Sequence, residues 1–437
     1  MGSLRAQEER LILFSRYPVP GCTKTRLIPF LGPVGAAELQ RQLTERAFQA
    51  ASFAARRLGT TLEIRFEGGT AAQMRRWLGL REVYSIQSPG DLGRRMEEAF
   101  RGAFEERCRR VVLFGADIPG LSPSILEQAM DRLKERDLVL GPSTDGGYWL
   151  IGLRKEADLF REMPWGSGDV LGKTLAKAEG LGLSATLLAP LTDIDTMEDV
   201  RELMPDWGHP RPYLSVIIPA VDEGAHIENT VRQALCKEAE VIVVDGGSRD
   251  KTPEAAARAG ARLLESPKGR GVQQNRGARE ARGRVLLFLH ADTLLPEAYV
   301  IRIFETLLGR KVILGAFGFR TDLEEPTARV IEALVNFRSR FFRLPYGDQG
   351  LFLRKEVFER IGGFPDVPIA EDLFFVRQLH KQGRLGLTKA CITTSGRRWE
   401  RIGLFRTTWI NQVILVGLAL RISPHALASL YHRWRGP

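Results

Sequence analysis

A chain of 437 residues, 44% of them hydrophobic, is long enough to bury two substantial cores, and nothing in its composition marks it as disordered or low in complexity. Four cysteines, Cys22, Cys108, Cys236 and Cys391, are scattered without a CxxC pair, which argues against a disulfide framework and a cysteine zinc site and makes the cytosol the expected compartment. The formal charge of +10 brings in polyanions such as nucleotides or anionic lipid, but no nucleic-acid-binding motif accompanies it, so nucleic acid is not an expected partner.

The polar residues through Arg10 lead directly into a strand at Leu11–Phe14, and no signal peptide is expected. A Pro/Gly loop follows, Ser15 to Leu27, in which Lys24 and Arg26 offer two cations to a phosphate chain; an ordinary basic turn is the competing reading. The loop lacks the glycine spacing and the Gly-Lys-Ser/Thr ending of a Walker A loop. Helical spacing over 36–58, an alternating strand at Thr61–Phe66 and a short helix over 74–80 come next. Val111–Phe114 is a buried strand that runs through Gly115 and Ala116 into Asp117 and a Pro-marked helix start. Beyond the strand Leu138–Pro142, Asp145-Gly146-Gly147 stands either where backbone approaches a ligand closely or as a tight hairpin turn. Asp193 and Asp195 precede a helix over 197–203; Asp195 is a candidate metal carboxylate, and helix capping explains one of these acids equally well.

The segments Gly21–Leu27, Gly115–Leu121, Asp145–Gly152 and Asp193–Thr196 together resemble cofactor-biosynthesis-type transferases similar to phospholactate guanylyltransferase, over nearly all of residues 10–204. The resemblance implies a nucleotide-diphospho-sugar transferase fold, with Lys24 and Arg26 near phosphates and Asp117 on a metal ion. Nucleotidyl and glycosyl transfer are both open for this half.

Three prolines and a glycine within Met204–Pro212 read as a stiff linker, giving domains 1–207 and 208–437. A buried strand then ends in Pro219, with Asp222 and Glu223 after it. The β-formers Val241–Val244 place Asp245 at a strand's carboxyl end, where Gly246 and Gly247 let the chain turn against a base or ribose. The basic loop Lys268-Gly269-Arg270 suits a leaving diphosphate. Val285–Leu289 is a strand buried on both faces, ended by His290, Asp292 and Thr293, and it repeats the Ala-Asp ending of Asp117 about 175 residues on. A carboxylate at the carboxyl edge of a parallel sheet can hold a divalent metal, with a helix cap as the alternative. Of the adjacent acids Glu371 and Asp372 at a helix start, one is expected in the cleft, where it can serve as general base. The basic, Trp-flanked run Trp409–Ile422 is too short to span a bilayer; it lies on an anionic membrane surface, or packs on the core or in a dimer interface.

Ser215–Pro219, Val243–Thr252, Lys268–Gly271, Leu289–Thr293, Gly347–Gly350 and Ile369–Asp372 resemble the family 2 glycosyltransferases, over about residues 213–400. The resemblance implies inverting transfer from a nucleotide sugar, with Asp245 on the nucleotide, Asp292 on Mn²⁺ or Mg²⁺ and Asp372 as base. Pro219, Glu223, Gly246, Lys268 and Arg270 complete the nucleotide candidates, His290 the metal candidates, and Glu371 stands beside the base. Two departures are visible: Asp222-Glu223 replaces the usual Asn-Glu, and the metal motif begins with His290, itself a capable ligand. The subgroup resembles transferases assigned to arsenosugar biosynthesis. The expectation is therefore an α/β chain of two nucleotide-diphospho-sugar transferase (GT-A, Rossmann-like) domains in tandem. It acts on a small-molecule or lipid acceptor in the cytoplasm, with peripheral binding at the inner face of the plasma membrane and homo-oligomerisation left open.

Overall fold

The computed structural model describes residues 8–209, 211–397, 404–420 and 422–435. The chain divides into two compact units, Met1–Pro210 and Arg211–Pro437, and each is an α/β structure built on its own sheet, as expected. In the first unit the strands are β1 (Glu9–Arg16), β2 (Thr61–Glu67), β3 (Val83–Ile86), β4 (Arg110–Gly115), β5 (Leu138–Pro142), β6 (Tyr148–Leu153) and β7 (Ala185–Leu187). They lie in the order β3-β2-β1-β4-β6-β5-β7, with β6 antiparallel to both of its neighbours. The runs Leu11–Leu13 and Val111–Leu113 are buried because helices cover both faces of a parallel sheet, so these strands are apolar throughout instead of alternating. The chain winds outward from β1 to β3, then returns across β1 to β4. That reversal opens a crevice at the carboxyl ends of β1 and β4, where ligands of open α/β sheets bind.

Two elements differ from expectation for local reasons. The helix expected over 36–58 is preceded by a short helical turn from Ile28; Gly32 (φ 71°, ψ 166°) separates the two, and Pro33 opens the helix that runs to Leu58. The helix expected over 74–80 spans Ala71–Leu78, its start fixed by a Thr70–Gln73 capping box.

The second unit repeats the plan. Its strands are β8 (Leu214–Ala220), β9 (Ala239–Asp245), β10 (Arg262–Glu265), β11 (Val285–Phe288), β12 (Thr293–Leu294), β13 (Val312–Thr321), β14 (Leu351–Arg354) and β15 (Arg384–Thr394), in the order β10-β9-β8-β11-β14-β13-β15-β12. Strand β14 runs antiparallel to β11, as β6 does to β4, so the two Ala-Asp strand ends occupy equivalent positions in two similar sheets. Pro219 is tolerated in β8 because Ile217 and Pro219 turn their amide groups towards β11, whose pairing has ended at Leu289. Neither strand-end acid is a helix cap. Ser122 caps the helix Pro123–Arg132 after Asp117, and after Asp292 the chain first forms β12 against β15 before the helix Tyr299–Leu307. At the end of the chain, the helices Leu404–Ala419 and Pro424–Arg435 pack together at Gly417 and Leu427. Among the described residues no helix is long and apolar enough to cross a membrane.

Candidate functional sites at the sheet edges

In the first unit a cavity of about 380 Å³ opens at the β1/β4 crevice, lined by Arg16, Lys24, Arg26, Gln40, Asp117 and Asp195 among others. Lys24 stands in the left-handed region (φ 47°), which sends its side chain inward, where it is 6% exposed. Its Nζ donates to Asp117 Oδ2 at 2.8 Å and to the carbonyl of Ile194, and lies 3.5 Å from Asp195 Oδ1. Gln40 Nε2 donates to the other Asp117 oxygen at 3.0 Å, and Arg26 Nη1 to Asp195 Oδ2 at 3.1 Å. Burial works to lower the pKa of Lys24, but Asp117, then Asp195 and Asp193, more than offset it and hold it above its ordinary value. Thr196 caps the helix Met197–Leu203, which leaves the Asp195 carboxylate to the two cations. Asp145 is not among the cavity residues. Its Oδ1 accepts from Gly147 N at 2.9 Å in the β5–β6 turn, so its carboxylate does a turn's work here.

In the second unit the candidates gather at the carboxyl ends of β8, β9 and β11. Asp245 ends β9, buried, and its carboxylate accepts from Gly247 N (3.0 Å), Ser248 N (3.1 Å) and the Ser248 hydroxyl, which fixes the turn that carries it. Gly246 must be small: a Cβ there would lie 2.8 Å from Val221 Cγ2 and 2.9 Å from Gln273 Nε2. Gln273, which the sequence did not single out, is buried and clips two strand ends together, donating to Ala220 O at 3.0 Å and Val244 O at 2.8 Å. Glu223 sits on a loop tied to Thr252 through its own N–H at 2.7 Å. Lys268 is exposed; Arg270, with 51% of its side chain exposed, reaches Glu371 Oε1 at 3.4 Å and so joins the basic loop to the paired acids.

The pair Glu371–Asp372 divides its duties. Glu371 is buried at 6% exposure, and burial pushes its carboxyl up; Arg270 opposes this and Asp372 adds to it, leaving it above the ordinary value. Asp372 Oδ2 accepts from Gly347 N at 2.8 Å, and its Oδ1 accepts from Leu373 N at 2.7 Å. A Cβ on Gly347 would lie 3.3 Å from Asp372 Oδ2 and 3.4 Å from His290 Nε2, so His290 and Asp372 flank the same glycine. Asp292 is 22% exposed and its Oδ2 takes Arg397 Nη2 at 3.0 Å; the same nitrogen is 2.9 Å from Glu223 Oε2. Arg397 is the second residue that sequence reasoning missed. The basic tail suggests membrane or packing roles, and nothing in its spacing points back 105 residues to Asp292.

Among the described residues no group of three or more His, Cys, Asp or Glu forms a ready metal cage. The carboxylates fit a hard cation that takes one or two protein oxygens and the rest from substrate phosphates and water, which is how Mg²⁺ and its relatives bind nucleotides. Asp292, with His290 beside it, would hold such an ion in the second unit, and Asp117 with Asp195 in the first.

Residues 215–364 match glycosyl transferase family 2, and residues 47–167 match a family described as an uncharacterized protein conserved in bacteria, DUF2064. The second unit carries a glycosyl transferase family 2 domain. Among relatives of the chain, glycosyltransferase AglE of Haloferax volcanii is 26% identical over 172 residues, 36% of this chain and 57% of that protein. A PGL/p-HBAD biosynthesis glycosyltransferase of Mycobacterium bovis is 28% identical over 172 residues, 35% of this chain and 63% of that protein. The chain thus spans less than two thirds of either relative. Among solved structures, one from Desulfovibrio desulfuricans G20, assigned as a nucleotide-diphospho-sugar transferase, is 35% identical over 44% of this chain and 86% of that one, with a TM-score of 0.41. The mannosyltransferase PcManGT of Pyrobaculum calidifontis, solved with GDP-Man and Mn²⁺, is 24% identical over 48% of this chain and 65% of that one, with a TM-score of 0.37. Within the family 2 domain, Asp245, Gln273 and Asp292 lie inside the matched stretch; Asp372 and Arg397 lie beyond its end.

Proposed function

We propose that the second unit transfers a glycosyl group from a nucleotide sugar to an acceptor hydroxyl with inversion, and that the first unit binds a nucleotide and makes or holds the donor. The observation that carries this reading is the convergence, at one sheet edge, of Asp245, Asp292 and Arg270 with the Glu371–Asp372 pair. Asp245 and the Gly246 turn hold the nucleoside, and Lys268 and Arg270 face the diphosphate, whose charge grows as it leaves. A divalent ion at Asp292 would neutralise that charge when bound. Asp372, oriented by Gly347 and Leu373 amides, takes the acceptor's proton as its oxygen bonds to the anomeric carbon opposite the departing diphosphate.

A thermal-shift panel of nucleoside triphosphates and nucleotide sugars with Mn²⁺ tests the division of labour. Loss of nucleotide-sugar stabilisation in Asp292→Ala alone, and of triphosphate stabilisation in Asp117→Ala alone, supports two working sites. If neither substitution matters, both assignments fail. A second reading, a first unit that binds without catalysing, is favoured by Lys24, whose ammonium already neutralises Asp117 and Asp195. It predicts no pyrophosphate release from any triphosphate by the full chain, alongside normal transfer from supplied donor. The resemblance to arsenosugar-associated transferases favours a small-molecule acceptor, and a lipid acceptor is its rival.

A further inference from the structure

The helix Pro326–Phe341 is polar where it faces its own unit and apolar where it faces out. On the inward side, Glu332 Oε1 accepts from Thr321 N at 2.8 Å, Asn336 exchanges hydrogen bonds with Phe319 N and O at 2.8 and 2.9 Å, and Ser339 Oγ donates to Gln349 Oε1 at 2.6 Å. On the outward side stand Val330 (60% exposed), Leu334 (60%), Phe337 (58%) and Phe341 (70%), at helical spacings of four, three and four, with Phe342 (58%) following. Phe337 and Phe341 stack at 5.3 Å between ring centroids, and Phe342 meets Phe341 edge-on at 5.1 Å. Single exposed apolar side chains are ordinary; a helix that spends its polar groups inward and presents a clustered aromatic stripe to solvent marks a contact surface.

Charge decides what the surface contacts. Arg340 and Arg343 are exposed beside the aromatic end of the stripe, and Glu332, the one acid between Pro326 and Arg343, is turned inward, where it also holds Arg329 at 2.6 Å. A second copy docking the same face would meet the same arginines with no acid of this helix to answer them. An anionic bilayer offers both an apolar layer for the rings and phosphates for the guanidinium groups. We propose that this helix lies in the headgroup layer of an anionic membrane, with Phe337, Phe341 and Phe342 inserted. The chain runs from Phe341 through Tyr346 directly to Gly347, whose amide holds Asp372. On the glycosyl-transfer reading, on which this last step rests, the base therefore meets an acceptor hydroxyl carried by a lipid.

The test is flotation of the full chain with vesicles of phosphatidylcholine alone or mixed with phosphatidylglycerol, at low and high salt. Phe337→Ser/Phe341→Ser and Arg340→Glu/Arg343→Glu are the variants, with unchanged melting temperatures as the check on folding. The expected result is flotation of the wild type with phosphatidylglycerol vesicles, weakened by salt, and a fall in partitioning of roughly tenfold or more in the aromatic variant. Absence of wild-type flotation, or flotation equal to wild type in both variants, overturns the proposal; so does a wild-type dimer in light scattering that the aromatic variant abolishes without any vesicle binding. Nucleotide-sugar stabilisation with Mn²⁺, read on the same samples, separates the two readings. Its presence without vesicle binding overturns the membrane proposal alone, and its absence with vesicle binding overturns glycosyl transfer alone.

Discussion

Lys24→Met replaces a buried ammonium with an apolar stem of similar length and leaves Asp117 and Asp195 facing one another without their shared cation. Removing one partner of a fully buried ion pair costs about 3–5 kcal/mol, whereas fully exposed pairs are worth about 0–1 kcal/mol. Here the lysine is 6% exposed and the carboxylates 38% and 51%, so water takes up part of the exposed charge. The expected loss is intermediate, about 1–2 kcal/mol, or a fall of about 2–8 °C in the melting transition of a unit this size. Because the Lys24 pKa is held above its ordinary 10.5, its contribution is complete at neutral pH and disappears only as pH climbs through that raised value. The loss should therefore be constant across neutral and mildly alkaline buffers. Scanning calorimetry without divalent ions measures it, and repetition with Mn²⁺ adds a second readout, since carboxylates freed of the ammonium should give the variant the larger Mn²⁺ stabilisation. An unchanged transition, with a Mn²⁺ response equal to wild type, would refute the assignment of Lys24 as the resident counter-ion.

Gln273→Leu removes two side-chain hydrogen bonds from strand-end carbonyls at nearly constant volume; Ala220 O keeps the Gly246 amide, so at about 0.5–1.5 kcal/mol for each bond lost urea denaturation should show a loss of roughly 1–3 kcal/mol, and a loss within error would mean the clip is dispensable. Asp372→Asn should lower the rate of transfer by about 10²–10⁴-fold with donor KM unchanged, and a variant retaining near-normal turnover would remove Asp372 as base. Glu371→Gln tests the buried acid through pH. Its raised pKa means that the folded chain keeps a proton which the unfolded chain has lost, so wild-type stability falls as pH rises from the ordinary 4.5 through the raised value. Gln cannot titrate, so urea midpoints of the variant should fall less than those of the wild type over that window; parallel curves for both proteins would contradict the burial.

The elements that announced themselves were those whose pattern is local. Strands β4 and β11 are continuous apolar runs that lead into Ala-Asp, which was enough to place Asp117 and Asp292 at equivalent edges of two sheets. What was not legible depended on contacts far apart in the chain. Lys24 meets Asp117 across 93 residues and Arg397 meets Asp292 across 105, and no periodicity encodes such pairings. Whether Asp117 and Asp292 capped helices was likewise undecided by their spacing. It was settled by Ser122 taking the cap in one unit and by β12 intervening in the other. Asp145 shows the opposite case, a residue whose Asp-Gly-Gly pattern suits a ligand turn and a hairpin equally, and one of whose carboxylate oxygens accepts from Gly147 N within the turn.

The two units share more than a strand order. In each, the acid at the end of the central strand is bridged to a second carboxylate by a basic side chain from a distant segment: Lys24 between Asp117 and Asp195, Arg397 between Glu223 and Asp292. Burial works to lower the pKa of both cations, but these same acids hold both above their ordinary values, so both remain charged at neutral pH. Divalent metal alone would therefore compete with a cation already in place, and binding should be weak. A nucleoside diphosphate changes the balance, because its phosphates give the released ammonium or guanidinium a new partner while supplying oxygens to the metal. Metal and nucleotide should then bind more tightly together than either does alone, by the same factor whichever is added first. Calorimetric titration of Mn²⁺ into the chain with and without a nucleoside diphosphate measures that factor, and Arg397→Ala and Lys24→Met should each reduce it by tightening the binding of Mn²⁺ alone. Equal Mn²⁺ affinity with and without nucleotide would show that neither basic side chain stands in the metal's way.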